Sequence, residues 1–170
     1  MACNLSQNYV LDCKESLGGL KSVYFIESAN VSVDTISDGV ITELALAMGK
    51  YFYKYDLVKE TSSFTETITA SVQNGTIFYA QELTIILNKL QANTRNEILL
   101  LAKNNLVAIA EDRNGKYWYL GQEGGLDISG GTGASGVASG DRSGYELTFS
   151  GQEKELAPEV LSSIIGGLID

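Results

Sequence analysis

The stretch that decides the fold is residues 64–90, FTETITASVQNGTIFYAQELTIILNKL. Its first part alternates in a period of two, which places one set of side chains on each face of a β-strand. One set carries hydroxyls (Thr65, Thr67, Thr69, Ser71), and the opposite set is apolar (Phe64, Ile68, Ala70, Val72). Asn74-Gly75 supplies residues that accept the positive φ of a two-residue type I′ turn. The stretch therefore predicts a long antiparallel hairpin. Its second arm is apolar on both faces in places, as if a sheet covered one side and a helix or a neighbouring subunit the other.

Shorter strands are predicted on both sides of this hairpin. They cover residues 23–26, 40–47, 50–58, 106–110, 116–120 and 145–150. Residues 30–39 carry turn signals, and Asn114-Gly115 predicts a second hairpin turn. On strand 50–58, alternation groups Tyr51, Tyr53, Tyr55 and Leu57 on one face.

Two helices are predicted, one internal and one at the C-terminal end. Thr94-Arg95-Asn96-Glu97 has the form of a capping box, and the apolar run after it predicts a helix over residues 95–103. Asn104-Asn105 is the expected stop of this helix. After Pro158, apolar residues recur at helical spacing, which predicts a short helix with proline in its first turn.

These elements predict one mainly β domain, an antiparallel β-sandwich or small barrel with a long hairpin and one flanking α-helix. The length of 170 residues fits a single domain with a core of its own. Residues 1–21 are expected to be an N-terminal arm and 22–156 the β domain. Residues 157–170 are expected to be a C-terminal arm or short helix. Within the β domain, residues 121–144 hold half of the 18 glycines and are expected to be a loop.

Composition excludes several kinds of chemistry. The chain has no histidine, so Ser-His and Cys-His nucleophile systems and His-ligated zinc are ruled out. Twelve basic against 21 acidic residues give a net charge of −9, which argues against gripping nucleic acid. Cys3 and Cys13 cannot supply four zinc ligands, and whether they pair is left open. No secretory leader and no membrane-length apolar run is visible, so a soluble intracellular chain without a membrane anchor is expected.

The candidate motifs favour structural explanations over chemical ones. Residues 131–136, GTGASG, match the dinucleotide-binding pattern G-x-G-x-x-G. No strand–helix–strand unit surrounds them, so a flexible or extended surface loop is expected.

Carboxylates and aromatics also give no convincing active site. Glu66 and Glu82 could approach each other across the hairpin, although solvated strand positions are the favoured interpretation. Glu111-Asp112-Arg113 precedes a turn and is expected to be solvated. Trp118, between two tyrosines, could be a binding platform, but core packing on one face of its strand and subunit or neighbour contacts on the other are favoured. No catalytic, cofactor-binding or metal-binding residue is predicted, and the chain is not expected to be an enzyme.

The order of elements resembles that of tail tube proteins of tailed bacteriophages, in the major tail protein family. It is most similar to structural proteins of phages that infect Bacteroidetes-type hosts. The resemblance covers residues 23–156. It is carried by the hairpin quoted above and by TRNEILLLAKN (94–104), LVAIAEDRNGKYWYLG (106–121) and GYELTFSGQE (144–153). It lies in the order of strands rather than in signature residues. The N-terminal arm, the loop 121–144 and the tail after Pro158 find no place in it.

The resemblance implies a virion structural protein. In that family, hexameric rings stack into a tube, and the hairpins join into a continuous inner β-barrel that conducts the genome into the host. It implies copies of the chain as partners, together with terminator, baseplate and, where present, sheath proteins. DNA would pass through the lumen without specific binding, and assembly would take place in the host cytoplasm. Alternatives are a terminator, neck, tail-ring or capsid decoration protein, and less favoured, a small carboxylate-based enzyme or ligand-binding β domain.

Overall fold

The computed structural model describes residues 3–170, and within them the chain forms eleven β-strands and two α-helices. The first six strands are β1 (Leu20–Glu27), β2 (Val31–Ser37), β3 (Val40–Leu46), β4 (Tyr53–Asp56), β5 (Ser63–Ser71) and β6 (Thr76–Asn88). After helix α1 (Ala92–Lys103) come β7 (Leu106–Asp112), β8 (Tyr117–Leu120), β9 (Asp127–Ala134), β10 (Gly144–Glu153), β11 (Glu159–Val160) and helix α2 (Ser162–Ile165). With 49% strand and 11% helical residues, the prediction of a mainly β fold is confirmed.

The strands form two sheets. One has seven strands in the order β2-β3-β11-β8-β7-β1-β4, and the other has four in the order β5-β6-β10-β9. Neighbouring strands are antiparallel, except for the two-residue pairing of β11 with β3. Neither sheet closes on itself within the described residues, so of the two predicted architectures the structure has the sandwich and not the small barrel.

The core has two parts because the middle of the seven-stranded sheet is covered on both faces. Val23 and Phe25 of β1 face the four-stranded sheet, where they meet Leu83 of β6 and Phe149 of β10. Alternate residues of β1 and β7 point the other way into a second cluster, which includes Tyr24, Ile26, Val107, Ile109 and Tyr119. Strands buried on both faces read as continuous apolar runs, which is why residues 23–26 and 106–110 are apolar throughout.

The long hairpin is formed by β5 and β6, as predicted. The strands pair from Ser63 opposite Thr84 to Ser71 opposite Thr76. Their connection is four residues long, 72–75, so the expected two-residue type I′ turn is wrong. Gly75 alone in this connection has a positive φ, of 63°. Connections of this length are most often built around a type I turn, in which the other positions keep negative φ.

Two segments expected to be loops contain strands. Residues 31–37, within the predicted turn region, form β2 and pair with β3. Residues 127–134, within the predicted glycine-rich loop, form β9 and pair with β10. In both cases a neighbouring strand supplies the pairing that the local composition does not favour. Strand 50–58 is shorter than expected, because only Tyr53–Asp56 pairs with β1.

Both helices differ from their predicted bounds. Helix α1 begins at Ala92, and Gln91 is its N-terminal cap residue, so Thr94 lies inside the first turn and the capping box is wrong. Its stop is confirmed, and the Asn104 side-chain amide donates to the Leu100 carbonyl at 2.9 Å. After Pro158 the chain makes β11 before the four-residue α2, because pairing with β3 and β8 replaces the predicted continuous helix.

Residues 157–170 are therefore not a projecting arm. Val160, Ile165 and Leu168 are buried in the second core cluster, and Ile169 bridges to Phe52. At the other end of the chain, residues 3–18 form neither helix nor strand, and their side chains are exposed. This N-terminal segment touches the domain where Leu17 exchanges backbone hydrogen bonds with the Asn114 side chain.

Candidate functional site

The four-stranded sheet has an uncovered outer face rich in hydroxyl groups. Strand alternation turns Leu83, Ile85, Leu147 and Phe149 toward the core and the residues between them outward. The outward set includes Thr65, Thr67, Thr69 and Ser71 of β5, Thr76, Glu82 and Thr84 of β6, Glu146, Thr148 and Ser150 of β10, and Thr132 of β9. The single hydroxyl-bearing face predicted for the first arm of the hairpin is confirmed. We call this surface the outer face.

The outer face carries negative and no positive charge from its strands. None of β5, β6, β9 and β10 contains a lysine or arginine. Three carboxylates, Asp127, Glu82 and Glu146, point outward. Arg142, in the connection before β10, pairs with Glu146 at 3.2 Å across an exposed surface. The surface is thus wetted by hydroxyls and weakly acidic.

Both edges of this sheet are open, since β5 and β9 each pair on one side within residues 3–170.

The hairpin of β5 and β6 also extends past the end of the neighbouring strand β10. The pairing of β10 with β6 ends at Glu153 opposite Tyr79, so residues 76–78 pair with β5 alone. We call residues 68–78 the projecting hairpin end. On its core-facing side, Ile68 and Ile77 remain 58% and 55% exposed, because the sandwich does not extend beneath them.

A shallow apolar groove of about 400 Å³ lies beside the opposite edge, on the core-facing side of β9. Its main lining residues are Ile98 of α1, Ile128, Gly131 and Gly133 of β9, and Tyr145 and Leu147 of β10. A side chain would not fit at Gly131, because a Cβ there would lie 2.7 Å from the Glu146 carbonyl oxygen. A Cβ on Gly133 would lie 3.0 Å from the Tyr145 ring, which would have to shift to accept it. We call this surface the β9 groove.

Close packing beside the β9 groove accounts for the glycines of the motif GTGASG, and no bound nucleotide is needed to explain them. Its first four residues lie in an edge strand and no helix follows, so the expectation of a loop over residues 131–134 is wrong. The two glycines allow close packing of an edge strand against β10.

Glu111 is buried and its pKa is shifted, so its predicted solvation is wrong. Ser22 Oγ donates to its carboxylate at 2.6 Å, Tyr24 Oη at 3.2 Å and Lys21 Nζ at 3.0 Å. Burial raises the pKa of Glu111, but the hydrogen bonds from Ser22, Lys21 and Tyr24 together outweigh it and hold that pKa below its ordinary 4.5. The parity of β7 could have revealed this position, because residue 111 faces the same buried side as Val107 and Ile109.

The next residue, Asp112, closes the β7–β8 turn rather than standing free in solvent. Its carboxylate accepts from the backbone N–H groups of Asn114 and Lys116, both at 2.9 Å, and from the Trp118 indole at 3.1 Å. Trp118 is therefore held on its own hairpin. Tyr119 is buried in the second core cluster, and Tyr117 packs against that cluster, so the favoured interpretation of core packing is confirmed for the tyrosines.

Glu66 and Glu82 do not converge. Pairing places Glu66 opposite Gln81 and Glu82 opposite Thr65, so the two carboxylates lie on opposite faces of the sheet. The Glu66 carboxylate accepts from the Ala157 backbone N–H at 2.7 Å and from the Gln81 side chain at 3.0 Å, which anchors the segment leading into Pro158. The prediction of a solvated position is confirmed for Glu82, which is exposed, and is wrong for Glu66, which is half-buried.

A cleft of about 450 Å³ separates α1 from the edge strand β4. Phe25, Tyr53, Tyr55 and Leu100 are among its lining residues. Burial, with a smaller contribution from nearby Glu97, raises the pKa of Tyr55 to about 12, so this phenol stays protonated at neutral pH. The charged residues that line the cleft are Glu27, Lys54 and Glu97.

Within residues 3–170, no group of three or more cysteine, aspartate or glutamate side chains is placed to hold a metal ion. Cys3 and Cys13 are both exposed and free thiols. None of the helices in this part of the chain is long and apolar enough to span a membrane. Comparison with protein-family models, curated proteins and solved structures gave no match for this chain.

Proposed function

We propose that this chain is a virion structural protein that assembles into stacked rings forming a phage tail tube, a conduit for genome ejection. One observation carries the proposal: the outer face is uncovered, rich in hydroxyls and free of basic residues on its strands. A wall facing DNA must be wetted and must not bind phosphates. The hydroxyls meet the first need, and strands without lysine or arginine meet the second.

Two further features support assembly. The four-stranded sheet ends in open strands on both sides, and open edges present unpaired N–H and C=O groups that another chain can satisfy. The projecting hairpin end exposes isoleucines that a single copy leaves in water. Copies arranged in a ring would pair the edges and place their outer faces around one central channel.

The partners under this proposal are other copies of the chain, with terminator, baseplate and, where present, sheath proteins at the ends and outside of the tube. The place of action is the virion tail, after assembly in the host cytoplasm. A terminator, neck, tail-ring or decoration protein would use the same fold, and its position in the particle would separate it from a tube protein.

Negative-stain electron microscopy of the purified chain over a concentration series tests the proposal. Tubes, or rings with a central hole, are the expected result. A strictly monomeric chain at the highest concentration, also absent from purified particles, would contradict it, and so would measured catalytic turnover.

A further inference from the structure

We propose that neighbouring copies join by packing the projecting hairpin end of one copy into the β9 groove of the next, with β5 and β9 pairing edge to edge. The inference rests on the proposed function, because it specifies the contact that would hold a ring together. It assigns a definite occupant, a second copy of this chain, to a groove that the single chain leaves open.

The two edges match in length and direction. Strand β5 has nine residues and β9 has eight, and each is the last strand on its side of the sheet. All three pairings between them are antiparallel, so β5 and β9 of one copy run in opposite directions. Copies related by rotation about a common axis would therefore place β5 beside β9 as a further antiparallel pair.

Side-chain parity places the exposed Ile68 and the β9 groove on the same face of the joined sheet. Residues directly opposite each other in an antiparallel pair lie on the same face of the sheet. Ile68 is on the core-facing side of β5, and Gly131 and Gly133 are on the core-facing side of β9. Within one copy Ile68 lies level with Tyr79 of β6, and Gly131 lies level with Ile85. A stagger of six residues between copies, which a closed barrel of inclined strands provides, would therefore bring the neighbour's Ile68 beside Gly131, against the apolar wall formed by Ile98 and Tyr145.

The chemistry of the two surfaces is complementary in a specific way. The β9 groove has no charged lining residue, and the core-facing side of the projecting hairpin end offers Ile68, Ala70 and Ile77. Association by such surfaces depends on burial of apolar area, which salt does not screen. Rings should therefore persist at about 0.5 M NaCl, whereas a contact between charged surfaces would weaken.

Paired variants on each surface test the contact without disturbing the fold. Ile68→Asp places a charge in the proposed contact, and Thr67→Asp places the same charge on the outer face of the same strand. Gly133→Asp fills the groove, where the flexible Tyr145 ring can move aside. Ala134→Asp is its control, because Ala134 is exposed on the opposite face of β9 and does not line the groove. Circular dichroism and thermal unfolding would establish that all four variants fold.

Sedimentation velocity then measures the association. We expect Ile68→Asp and Gly133→Asp to raise the concentration needed for assembly at least about 100-fold, and the two controls to change it less than about 5-fold. A mixture of the Ile68→Asp and Gly133→Asp chains retains one intact hairpin and one intact groove per pair. It should form one-to-one dimers and nothing larger.

The outcomes separate the inference from the function. Normal rings formed by Ile68→Asp or Gly133→Asp would overturn the inference and leave the proposed conduit standing. Failure of the mixed variants to form dimers would likewise overturn it. A wild-type chain that stays monomeric throughout the concentration series, and is also absent from purified particles, would contradict both.

Discussion

Glu111 ties β7 to β1 through side chains rather than backbone. Its carboxylate collects hydrogen bonds from Ser22, Tyr24 and Lys21, three residues on or beside the same buried face. An ionised carboxylate costs free energy to bury unless such donors replace water, and here they do. The group is a structural one: it is enclosed by the seven-stranded sheet, away from both assembly surfaces.

Replacing Glu111 with glutamine tests this role. We expect Glu111→Gln to lower the free energy of unfolding at pH 7 by about 1–3 kcal/mol, because a charged acceptor of three hydrogen bonds becomes neutral. Urea unfolding followed by tryptophan fluorescence measures it. Glu82→Gln is the matched control on the exposed outer face and should change stability little.

The same variant should also alter the dependence of stability on pH. The pKa of Glu111 is lower in the folded chain than its ordinary 4.5, so the folded state holds its proton less tightly than the unfolded state. Its stabilisation is complete above about pH 4.5 and is lost as the pH falls through the folded pKa. Below about pH 4.5 the wild type should therefore lose stability faster than Glu111→Gln. Parallel curves for the two proteins would contradict this assignment.

At the scale of elements, the C-terminal segment shows how a short sequence gains structure from its surroundings. Helix α2 has four residues, too few to be stable in water without tertiary contacts. It is held because Ile165 and Leu168 enter the second core cluster and the Phe52 backbone N–H donates to the Leu168 carbonyl at 2.8 Å. The segment covers the face of the seven-stranded sheet that points away from the four-stranded sheet.

Truncating those two side chains should therefore be costly. We expect Ile165→Ala and Leu168→Ala each to lower the free energy of unfolding by about 2–5 kcal/mol, the range for large apolar residues removed from a core. Leu161→Ala is the control, since Leu161 is 41% exposed, and it should cost about 0.5 kcal/mol. Chemical unfolding at one pH compares the three. Equal effects would mean that the segment is a projecting arm, one of the two alternatives that its sequence predicts.

At the scale of the whole molecule, the N-terminal segment stands apart from the sandwich. Deleting residues 3–15 should leave the unfolding free energy within about 0.5 kcal/mol of the full chain, because their side chains are exposed and Ser16 and Leu17 keep the contact with Asn114. Deleting residues 162–170 in parallel should destabilise the protein strongly. A loss above about 1 kcal/mol for the first deletion would show that these residues pack on the domain in solution.

The charge of the outer face can be tested in the assembled particle, where this face would line the proposed channel. Changing Thr67, Glu82 and Thr148 to lysine would line the proposed channel with basic groups. Assembled particles of this variant should retain double-stranded DNA at about 50 mM NaCl and release it as salt rises, whereas wild-type particles should retain none. Filter binding with labelled DNA measures the difference.

A control with the same change in net charge keeps this experiment specific. Lysines at Ser32, Ser37 and Glu43 add equal charge on β2 and β3, in the other sheet. Particles of the control should bind DNA on their outside, where nuclease can reach it, and DNA inside a channel should be protected. Equal protection in the two variants would contradict the placement of the outer face in the lumen.

Local patterns in the sequence were enough to predict the hairpin, most of the strands, the mainly β class and the hydroxyl-bearing face. Alternation with period two over residues 64–72 is a property of neighbouring residues, so no other part of the chain was needed to recognise it. The absence of histidine likewise removes whole classes of chemistry, because no arrangement of the chain in space can supply an imidazole that the sequence lacks.

Long-range packing decided what neighbouring residues do not encode. The glycine-rich residues 127–134 become a strand because β10 pairs with them, and Glu111 is buried because β1 brings Ser22, Tyr24 and Lys21 to it. The tail after Pro158 leaves its helical pattern because β3 and β8 offer it a place in the sheet. In each case the partner lies far away in the chain, and the free energy of pairing or burial with that partner exceeds the local preference.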